Sequence, residues 1–469
     1  MNRPSARVGA AALLVGLAPT SGLAQGFGVF EHGTCAMGRA GTGVAAPCGD
    51  GSAIFFNPAG LAAIDRLTLT GGLTLIQATG SFTDDLLAER TGLDNSPIPV
   101  PHVFAAYPLH DRVTAGLGLF VPYGLSTNWP ADFDGRFNGY DNALQSIYIQ
   151  PTVAFRPIDI IQIGGGLDVV IGSVKLTQRL DLSEFEAVPG ITFGQLGVPF
   201  HTDFADATLE THGATGVTGN FGVIIAPHDR FSIGFRYLGK TTLEYEGDAT
   251  FDPIATGIVL PPGNPLAAAL GLDPAQSLPL DLVLNGADLF SPGAPLEDQT
   301  VHTRITMPDQ IVVGFALRPA ESFTLLFDYQ RVNWSTFDVL SVDFENTLTP
   351  DREVIENYED TDGFRFGVDI EVSPRWDVRA GYLWHEGAAP PQTVTPLLPE
   401  GTRNELTIGF GWRISDAFTT DVAYQYIRQD DRRGRVTEGP PGQAPTVDLN
   451  SGLYTFKGHL VGFTVTWRP

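Results

Sequence analysis

Residues 364–385 read FRFGVDIEVSPRWDVRAGYLWH, two alternating segments joined by a tight break at 373–375. Successive side chains of a β-strand point to opposite faces, so each segment has two distinct faces. In both segments one face is apolar and largely aromatic, whereas the other carries most of the charged residues and the glycines. This period-two pattern predicts two antiparallel strands connected by a short turn.

The same kind of break recurs along the chain between other alternating runs, and much longer segments separate one strand pair from the next. Short turns at one end and long loops at the other are typical of bacterial outer-membrane β-barrels. In such a barrel the apolar face contacts lipid and the polar face lines the lumen, with Trp and Tyr at the interfaces. The six breaks are 109–112, 157–159, 227–230, 319–322, 373–375 and 415–417.

Fourteen strand-like runs can be counted, an even number that leaves both chain ends in the periplasm. We therefore predict an all-β fold, a 14-stranded antiparallel transmembrane β-barrel over residues 65–469 with long extracellular loops. A barrel of this size encloses more space than strand side chains fill, so something must close its lumen. The runs are 67–77, 100–107, 113–121, 144–156, 160–177, 207–226, 231–246, 299–318, 323–343, 356–372, 376–385, 403–414, 418–428 and 453–467.

The N-terminus predicts export. Arg3 and Arg7 precede an apolar stretch at 8–18, and Gly22 and Ala24 place small residues before Gln25, so residues 1–24 are predicted to be a signal peptide. No later stretch offers about 18 uninterrupted apolar residues, so no transmembrane helix is predicted. The expected location is the outer membrane of a Gram-negative bacterium.

The chain is strongly acidic, with a formal net charge of −25. Removal of residues 1–24 takes away two arginines and no acids, which leaves −25 − 2 = −27 for the mature chain. Nucleic acid is therefore not an expected partner, because its backbone is itself polyanionic.

Residues 25–64 precede the first strand and are the candidate plug, called the hatch below. They are rich in Gly and Ala, whose small side chains permit close backbone packing. Asn57 and Pro58, followed by Ala59 and Gly60, form a turn signal that can start a short helix.

Four pieces of the sequence carry a family resemblance: GRAG at 38–41 leading to DGSAIFFNPAGLA at 50–62, VPYGL at 121–125 with Trp129 and GRF at 135–137, LQSIYIQPTVAFR at 144–156, and MPDQ at 307–310. On these pieces the chain resembles the FadL/TodX family of outer-membrane transporters for fatty acids and other hydrophobic compounds. The resemblance implies a fourteen-stranded barrel closed by an N-terminal hatch. It also implies passive, energy-independent uptake of long-chain fatty acids or aromatic or aliphatic hydrocarbons, without choosing between them.

Two features depart from the family pattern. Cys35 and Cys48 lie close together in the hatch, and an oxidising periplasm favours a disulfide between them, the alternative being two buried free thiols. No second Cys pair or His cluster completes a metal site, and no cofactor is expected. The chain ends Trp467-Arg468-Pro469, so recognition by the barrel-assembly machinery is expected to rely on Trp467.

Two predicted outer loops, 182–200 and 251–296, are unusually apolar for solvated segments. They either form a first docking site for a hydrophobic ligand or pack on each other as a lid, and the two interpretations are compatible. The candidate ligand-binding residues in these loops are Phe185, Phe193, Leu196, Leu266, Leu270 and Leu282.

Arg236, Arg365 and Arg379 are predicted to face the lumen, where they could pair with a fatty-acid carboxylate. The alternative is that they pair with inward acids, for which Asp328, Asp369 and Asp377 are the candidates. Sequence alone leaves both possibilities open.

The third predicted strand, 113–121, is the candidate for a lateral opening in the wall. It is short, contains Gly116 and Gly118, and runs into Pro122, which cannot donate to a β-ladder. The resemblance implies that a kink here opens the wall beside the hatch. Alternatively, the glycines only relieve crowding against the hatch.

No catalytic motif is present, since the chain lacks a Gly-x-Ser-x-Gly elbow and a His-Glu-x-x-His pair. We expect no enzyme activity. An outer-membrane lipid-modifying hydrolase and a structural or adhesive barrel remain the alternatives. Besides hydrophobic small molecules, the expected partners are outer-membrane lipids, including lipopolysaccharide, around a monomer.

Overall fold

The computed structural model describes residues 26–85, 88–434 and 452–469, so the expected signal peptide at 1–24 lies outside it. Within these ranges fourteen antiparallel strands form one closed barrel. Four of the strands are interrupted and are given below in two pieces. The strands are β1 Thr68–Asp84, β2 Ile98–His110, β3 Val113–Asn128, β4 Asp141–Ile158, β5 Ile161–Asp181, β6 Asp203–Thr211 and Ala214–His228, β7 Phe231–Leu238 and Thr241–Pro253, β8 Gln299–Met307 and Gln310–Ala320, β9 Phe323–Val332 and Val339–Phe344, β10 Thr361–Ser373, β11 Trp376–His385, β12 Arg403–Arg413, β13 Phe418–Gln429 and β14 Gly452–Trp467.

The barrel closes because β1 pairs with β2 on one side and with β14 on the other, from Leu69 opposite Trp467 to Asp84 opposite Gly452. Each of the six short breaks predicted from sequence is a tight turn between paired strands. At the turn between β10 and β11, for example, Ser373 pairs with Trp376. The predicted fold class and strand count are therefore confirmed.

The two faces of the strands differ as the alternation predicts. On β12, Leu406 and Ile408 are 60% and 57% exposed, whereas the intervening Glu405 and Thr407 are 4% and 7% exposed. Outward apolar side chains contact lipid in a barrel of this kind, and inward polar side chains line the lumen. Trp376 of β11 stacks on Trp412 of β12 with ring centroids 5.1 Å apart, beside the turn at 373–375.

The described part of the hatch, residues 26–64, is mostly buried against the barrel strands, and its helices are short. These are α1 (Thr34–Met37), α2 (Ala53–Phe56) and a 3₁₀ helix (Pro58–Ala63). A disulfide joins Cys35 to Cys48 and ties the α1 region to the segment before α2.

The long loops contain the remaining short elements. None of the described helices is long and apolar enough to cross a membrane. The loop helices are α3 (Pro265–Ala269) and α4 (Leu280–Ala287), with 3₁₀ turns at Asp134–Asn138, Leu182–Glu184, Gly194–Leu196 and Trp334–Thr336 and minor strands at Arg90–Gly92, Glu186–Val188, Ile191–Thr192, Val259–Leu260, Leu278–Pro279, Arg352–Ile355 and Arg432–Gly434.

The third strand differs from its sequence-based prediction. It does not end at residue 121 but continues to Asn128, because a β-bulge between Phe120 and Tyr123 absorbs Pro122 within its pairing to β4. A proline at a bulge leaves no ladder hydrogen bond missing.

Candidate transport pathway

The hatch rests on a ring of wall glycines. On eight of the strands, a Cβ added at an inward glycine would lie within 3 Å of a hatch atom. Backbone and side-chain atoms of the hatch therefore contact the wall where the wall has no side chains. These glycines are Gly116 and Gly118 (β3), Gly164 (β5), Gly222 (β6), Gly234 (β7), Gly367 (β10), Gly381 (β11), Gly409 (β12) and Gly462 (β14).

Asn57 joins the hatch to two strands. Its Oδ1 caps the 3₁₀ helix by accepting the Ala59 N–H at 3.1 Å, as the Asn-Pro signal predicts. Its Nδ2 donates to Val44 O within the hatch at 2.6 Å, and to Val223 O of β6 and Phe235 O of β7 at 3.2 and 3.3 Å. One buried amide thus holds both the hatch helix and its position on the wall.

Arg379 is held by acids of the barrel. Its guanidinium forms ion pairs with Asp369, Asp377 and Asp421 at 3.1, 3.3 and 2.5 Å. Asp369 also pairs with Arg39 of the hatch at 3.3 Å. For this residue the contacts support pairing with inward acids rather than with a ligand.

Arg236 and Arg365 contact the hatch. Arg365 lies over the Phe30 ring at 4.4 Å and donates to Gly41 O at 3.5 Å, and Arg236 lies over the Phe55 ring at 4.4 Å. Arg236 also donates to Asn220 Oδ1 and Gln310 Oε1. Its Nη2 lacks a hydrogen-bond partner among the described residues, and so do both carboxyl oxygens of the buried Asp168.

Gly116 and Gly118 both face the hatch. A Cβ at Gly116 would lie 2.8 Å from Leu61 Cδ1, and one at Gly118 would lie 2.7 Å from Ile54 Cγ2. These contacts favour the alternative interpretation, in which the two glycines make room for the hatch.

The pairing of β2 with β3 is nevertheless interrupted beyond these glycines, toward the end of β3, and this interruption is called the gap below. The ladder between β2 and β3 ends at Val103 opposite Leu119. The two chain segments are joined again near the end of β3, where Asn95 Nδ2 donates to Ser126 O and Asp94 N–H donates to Asn128 O. Within the gap the hatch replaces β2 as the partner of β3, with Gly28 opposite Tyr123.

Three valines fill the inside of this gap. Val29 of the hatch, Val100 of β2 and Val121 of β3 form a separate apolar cluster. The Val29 N–H donates to Pro122 O at 2.8 Å, next to Val121. The bulge at Pro122 therefore lies where wall and hatch meet.

The ladder between β6 and β7 is also interrupted, between the pairs Asn220–Leu238 and Thr211–Gly247. Leu243 of β7 covers the inner side of this stretch, and a Cβ at Gly216 would lie 2.7 Å from Leu243 Cδ2. This second interruption is closed by a buried side chain of the wall itself.

The two apolar outer loops pack on each other in one cluster. Phe193, Leu196 and Leu266 are buried in that cluster, whereas Phe185 and Leu270 lie half-buried at its edge. Leu282 on α4 is 67% exposed and is not part of the packing. Packing of the two loops as a lid accounts for the buried candidates. Among the six candidate residues, Phe185, Leu270 and Leu282 remain accessible to a ligand.

An apolar cleft lies beside Phe27, near the start of the hatch. Its cavity volume is about 30 Å³, so its side chains nearly fill it and a ligand has to displace some of them to enter. None of the described arginines or lysines lines it. The lining residues are Phe27, Leu125, Ala143, Leu144, Val174, Leu176, Ile305, Phe337, Leu340, Glu356, Tyr358, Leu397 and Leu398.

Glu356 is the one ionisable acid or base in this lining besides the phenol of Tyr358. Both side chains are buried, and Glu356 Oε1 has no hydrogen-bond partner among the described residues. Burial raises the pKa of Glu356 to about 8. Sequence reasoning missed this residue, because nothing local distinguishes it from neighbouring loop acids.

The start of the described chain is anchored beside the cleft. Glu400 of the loop after β11 accepts hydrogen bonds from the N–H groups of Gly26, Ala388 and Ala389. Burial raises the pKa of Glu400 to about 7, although these hydrogen bonds act in the opposite direction. Phe27, the next residue, packs edge-on against Trp334 with ring centroids 4.7 Å apart.

Residues 15–468 match the family model described as outer membrane protein transport protein (OMPP1/FadL/TodX). The chain belongs to this family. Its members are outer-membrane transport proteins rather than enzymes, so the hydrolase alternative is set aside and the location in the Gram-negative outer membrane follows.

Relatives in the family match nearly the whole chain. The long-chain fatty acid transport protein of Salmonella typhi is 22% identical over 441 residues, covering 92% of this chain and 93% of its own. Outer membrane protein P1 of Haemophilus influenzae is 20% identical over 435 residues, covering 86% of each.

Solved structures show the same fold. A Pseudomonas aeruginosa FadL homologue superposes with a TM-score of 0.77 at 21% identity, covering 95% of this chain and 100% of its own. The Pseudomonas putida toluene transporter TodX gives 0.67 at 17% identity, covering 94% and 98%.

Proposed function

We propose that this family member is a passive channel for hydrophobic molecules. A ligand docks at the edge of the outer-loop cluster, enters the apolar cleft beside Phe27 and leaves sideways through the gap between β2 and β3. The barrel needs no energy input in this scheme, because each step moves apolar surface from one apolar contact to another.

One observation carries the proposal: Phe27 belongs to both the cleft and the gap. Its side chain lines the cleft, and its carbonyl accepts the Gly124 N–H of β3 at 2.9 Å, two residues beyond Pro122. A ligand that displaces the Phe27 ring therefore acts directly on the hatch segment that closes the wall.

Sideways release also avoids an energetic penalty. Apolar surface released into the aqueous periplasm loses about 25 cal/mol per Å² of stabilisation. Release into the membrane keeps the ligand out of water throughout. The names of the relatives and structural neighbours, one for fatty acids and one for toluene, support either ligand class.

The decisive test is uptake in cells that lack their own transporter of this family. Expression should accelerate entry of a fluorescent fatty acid or a labelled monoaromatic hydrocarbon over an empty vector, and deletion of the TonB energy transducer should not change the rate. Uptake equal to the empty vector, or uptake lost with the transducer, would contradict the proposal.

We further propose that the barrel acts as a monomer, inserted by the barrel-assembly machinery among lipids that include lipopolysaccharide. The continuous pairing of β1 with β14 supports this, because among the described strands it leaves no open edge to recruit a second copy. The mass of the particle in lipid nanodiscs tests the monomer.

A further inference from the structure

We infer that Glu356 makes the cleft selective for uncharged hydrophobic ligands that carry a hydrogen-bond acceptor, such as a ketone, an ester or an alcohol, over fatty-acid anions. This inference rests on the proposed function, since it concerns which hydrophobic molecules the channel accepts. The Glu356 side chain would then decide between uncharged ligands and fatty-acid anions.

The position of Glu356 in the cleft is fixed by the backbone on both sides of it. The N–H groups of Glu356 and Asn357 both donate to Asp338 O, at 2.8 and 2.9 Å. Asn357 adopts a left-handed conformation with φ 47°, which turns the chain so that Glu356 and Tyr358 are buried while Asn357 stays exposed. A left-handed residue in a loop costs energy that the surrounding contacts must supply.

One oxygen of the Glu356 carboxyl group lacks a hydrogen-bond partner among the described residues. Oε1 is buried without a hydrogen bond, and no charged group shifts its pKa, which burial alone raises. A buried carboxyl in this state is favoured in its neutral form, which donates one hydrogen bond. A ligand oxygen in the cleft is the acceptor that this donor lacks.

No arginine is placed to compensate a ligand carboxylate in the cleft. Arg403 and Arg432 act electrostatically on Tyr358, but they are not part of the cleft lining and donate to Gly26 O and Ala389 O. Arg236 retains a free Nη2, but it lies within electrostatic range of Asp168 and outside the cleft lining. A fatty-acid anion would therefore meet a carboxyl group and no cation.

The physical consequence is a charge filter. An anion beside Glu356 is buried without a counter-ion, which is costly, and it also forces Glu356 to remain protonated. An uncharged ligand of equal chain length buries the same apolar surface and accepts the Glu356 proton in a hydrogen bond. An alkane gains only the free energy of burying its apolar surface, because it cannot accept a hydrogen bond.

The test measures binding to the full-length mature protein in lipid nanodiscs at neutral pH, with three probes of equal chain length: an alkane, its methyl ketone and its fatty acid. For the unaltered protein we expect the ketone to bind at least ~10-fold more tightly than the fatty acid, because a carboxylate buried without a counter-ion is costly. Equal affinities for the ketone and the fatty acid would overturn the inference.

Variants separate Glu356 from general loop effects. E356L should lose the preference for the ketone over the alkane, and E356K should reverse the preference between ketone and fatty acid. E359Q, two residues beyond Asn357 and exposed, is the matched control and should behave like the unaltered protein. Fatty-acid binding that is the tightest of the three and is lost in R236Q would also overturn the inference.

The outcomes distinguish this inference from the proposed function. If none of the three probes binds or enters cells, the transport function fails and the inference falls with it. If all three bind and enter equally well, the channel function stands and only the selectivity of Glu356 is refuted.

Discussion

Asn57 Oδ1 of the hatch occupies the space in front of Gly222 in β6, so close that a Cβ on Gly222 would overlap it. The same Asn57 donates to carbonyls of β6 and β7. Hatch position and wall composition are therefore coupled at a single contact.

Replacing Gly222 by alanine should loosen the hatch. The added methyl group displaces Asn57, and overpacking of this kind costs about 1–3 kcal/mol. Thermal unfolding in detergent should show a lower midpoint for G222A. The control is G219A on the same strand, where the nearest atom to an added Cβ is 3.6 Å away. An equal midpoint for G222A and G219A would show that the hatch is not held at this contact.

The disulfide should be detectable and stabilising. Peptide mass mapping of the non-reduced mature protein should recover Cys35 and Cys48 in one linked species. Because the two residues are 13 apart in sequence, the loop-closure model assigns about 3 kcal/mol to this bond. The C35S/C48S variant should therefore lose hatch protection in hydrogen exchange. Two alkylatable thiols in the non-reduced protein would contradict the bond.

The exit gap can be blocked at Val121. A tryptophan there adds bulk to the cluster formed with Val29 and Val100, so V121W should slow uptake while binding in the cleft persists. V103W is the matched control, because Val103 is 52% exposed on the outer face of β2. Normal uptake by a correctly folded V121W protein would exclude this route and direct attention to the interruption between β6 and β7.

Ligand affinity should depend on pH through Glu356. Its pKa is raised to about 8, so the donating acid form predominates below that value and is lost as pH rises through it. Affinity for the ketone should therefore be flat from weakly acidic to neutral pH and fall in mildly alkaline buffer. Titrations of E356Q should be flat over the same range. A fall that persists in E356Q would assign the pH effect to another group, such as Glu400, which also acts electrostatically on Tyr358.

Arg379 should be structural. R379Q leaves Asp369, Asp377 and Asp421 without their shared cation, and removing one partner of a buried ion pair costs about 3–5 kcal/mol. We expect a large loss of thermal stability with unchanged ligand affinity in the folded fraction. Weakened binding by folded R379Q would instead support the carboxylate-pairing hypothesis.

The fold was predictable because strand faces and turn lengths are local. The alternation of Leu406 and Ile408 with Glu405 and Thr407 is visible in the sequence and needs no distant contact. Strand interruptions were less visible, although Pro308, which separates the two pieces of β8, is a residue that disfavours a central strand.

The site was harder to predict because its contacts join distant parts of the chain. The partner of Asn57 at Gly222 is far along the sequence, and an inward glycine has no pattern that distinguishes it from an outward one. Glu356 resembles Glu353 and Glu359 in sequence, and only the turn at Asn357 buries it. The apolar character of loop residues such as Leu266 correctly indicated that they are buried. The sequence did not show whether they are covered by the neighbouring loop or by a bound ligand.

The ring of wall glycines also limits how family members can exchange parts. The hatch contacts the barrel at inward glycines, so the fit between the two depends on glycine positions distributed over eight strands. A chimaera that grafts a relative's hatch into this barrel would need the donor's own pattern of missing side chains, and overall identity near 20% does not secure that. Substitutions in the hatch and in the wall glycines are therefore expected to occur together during evolution.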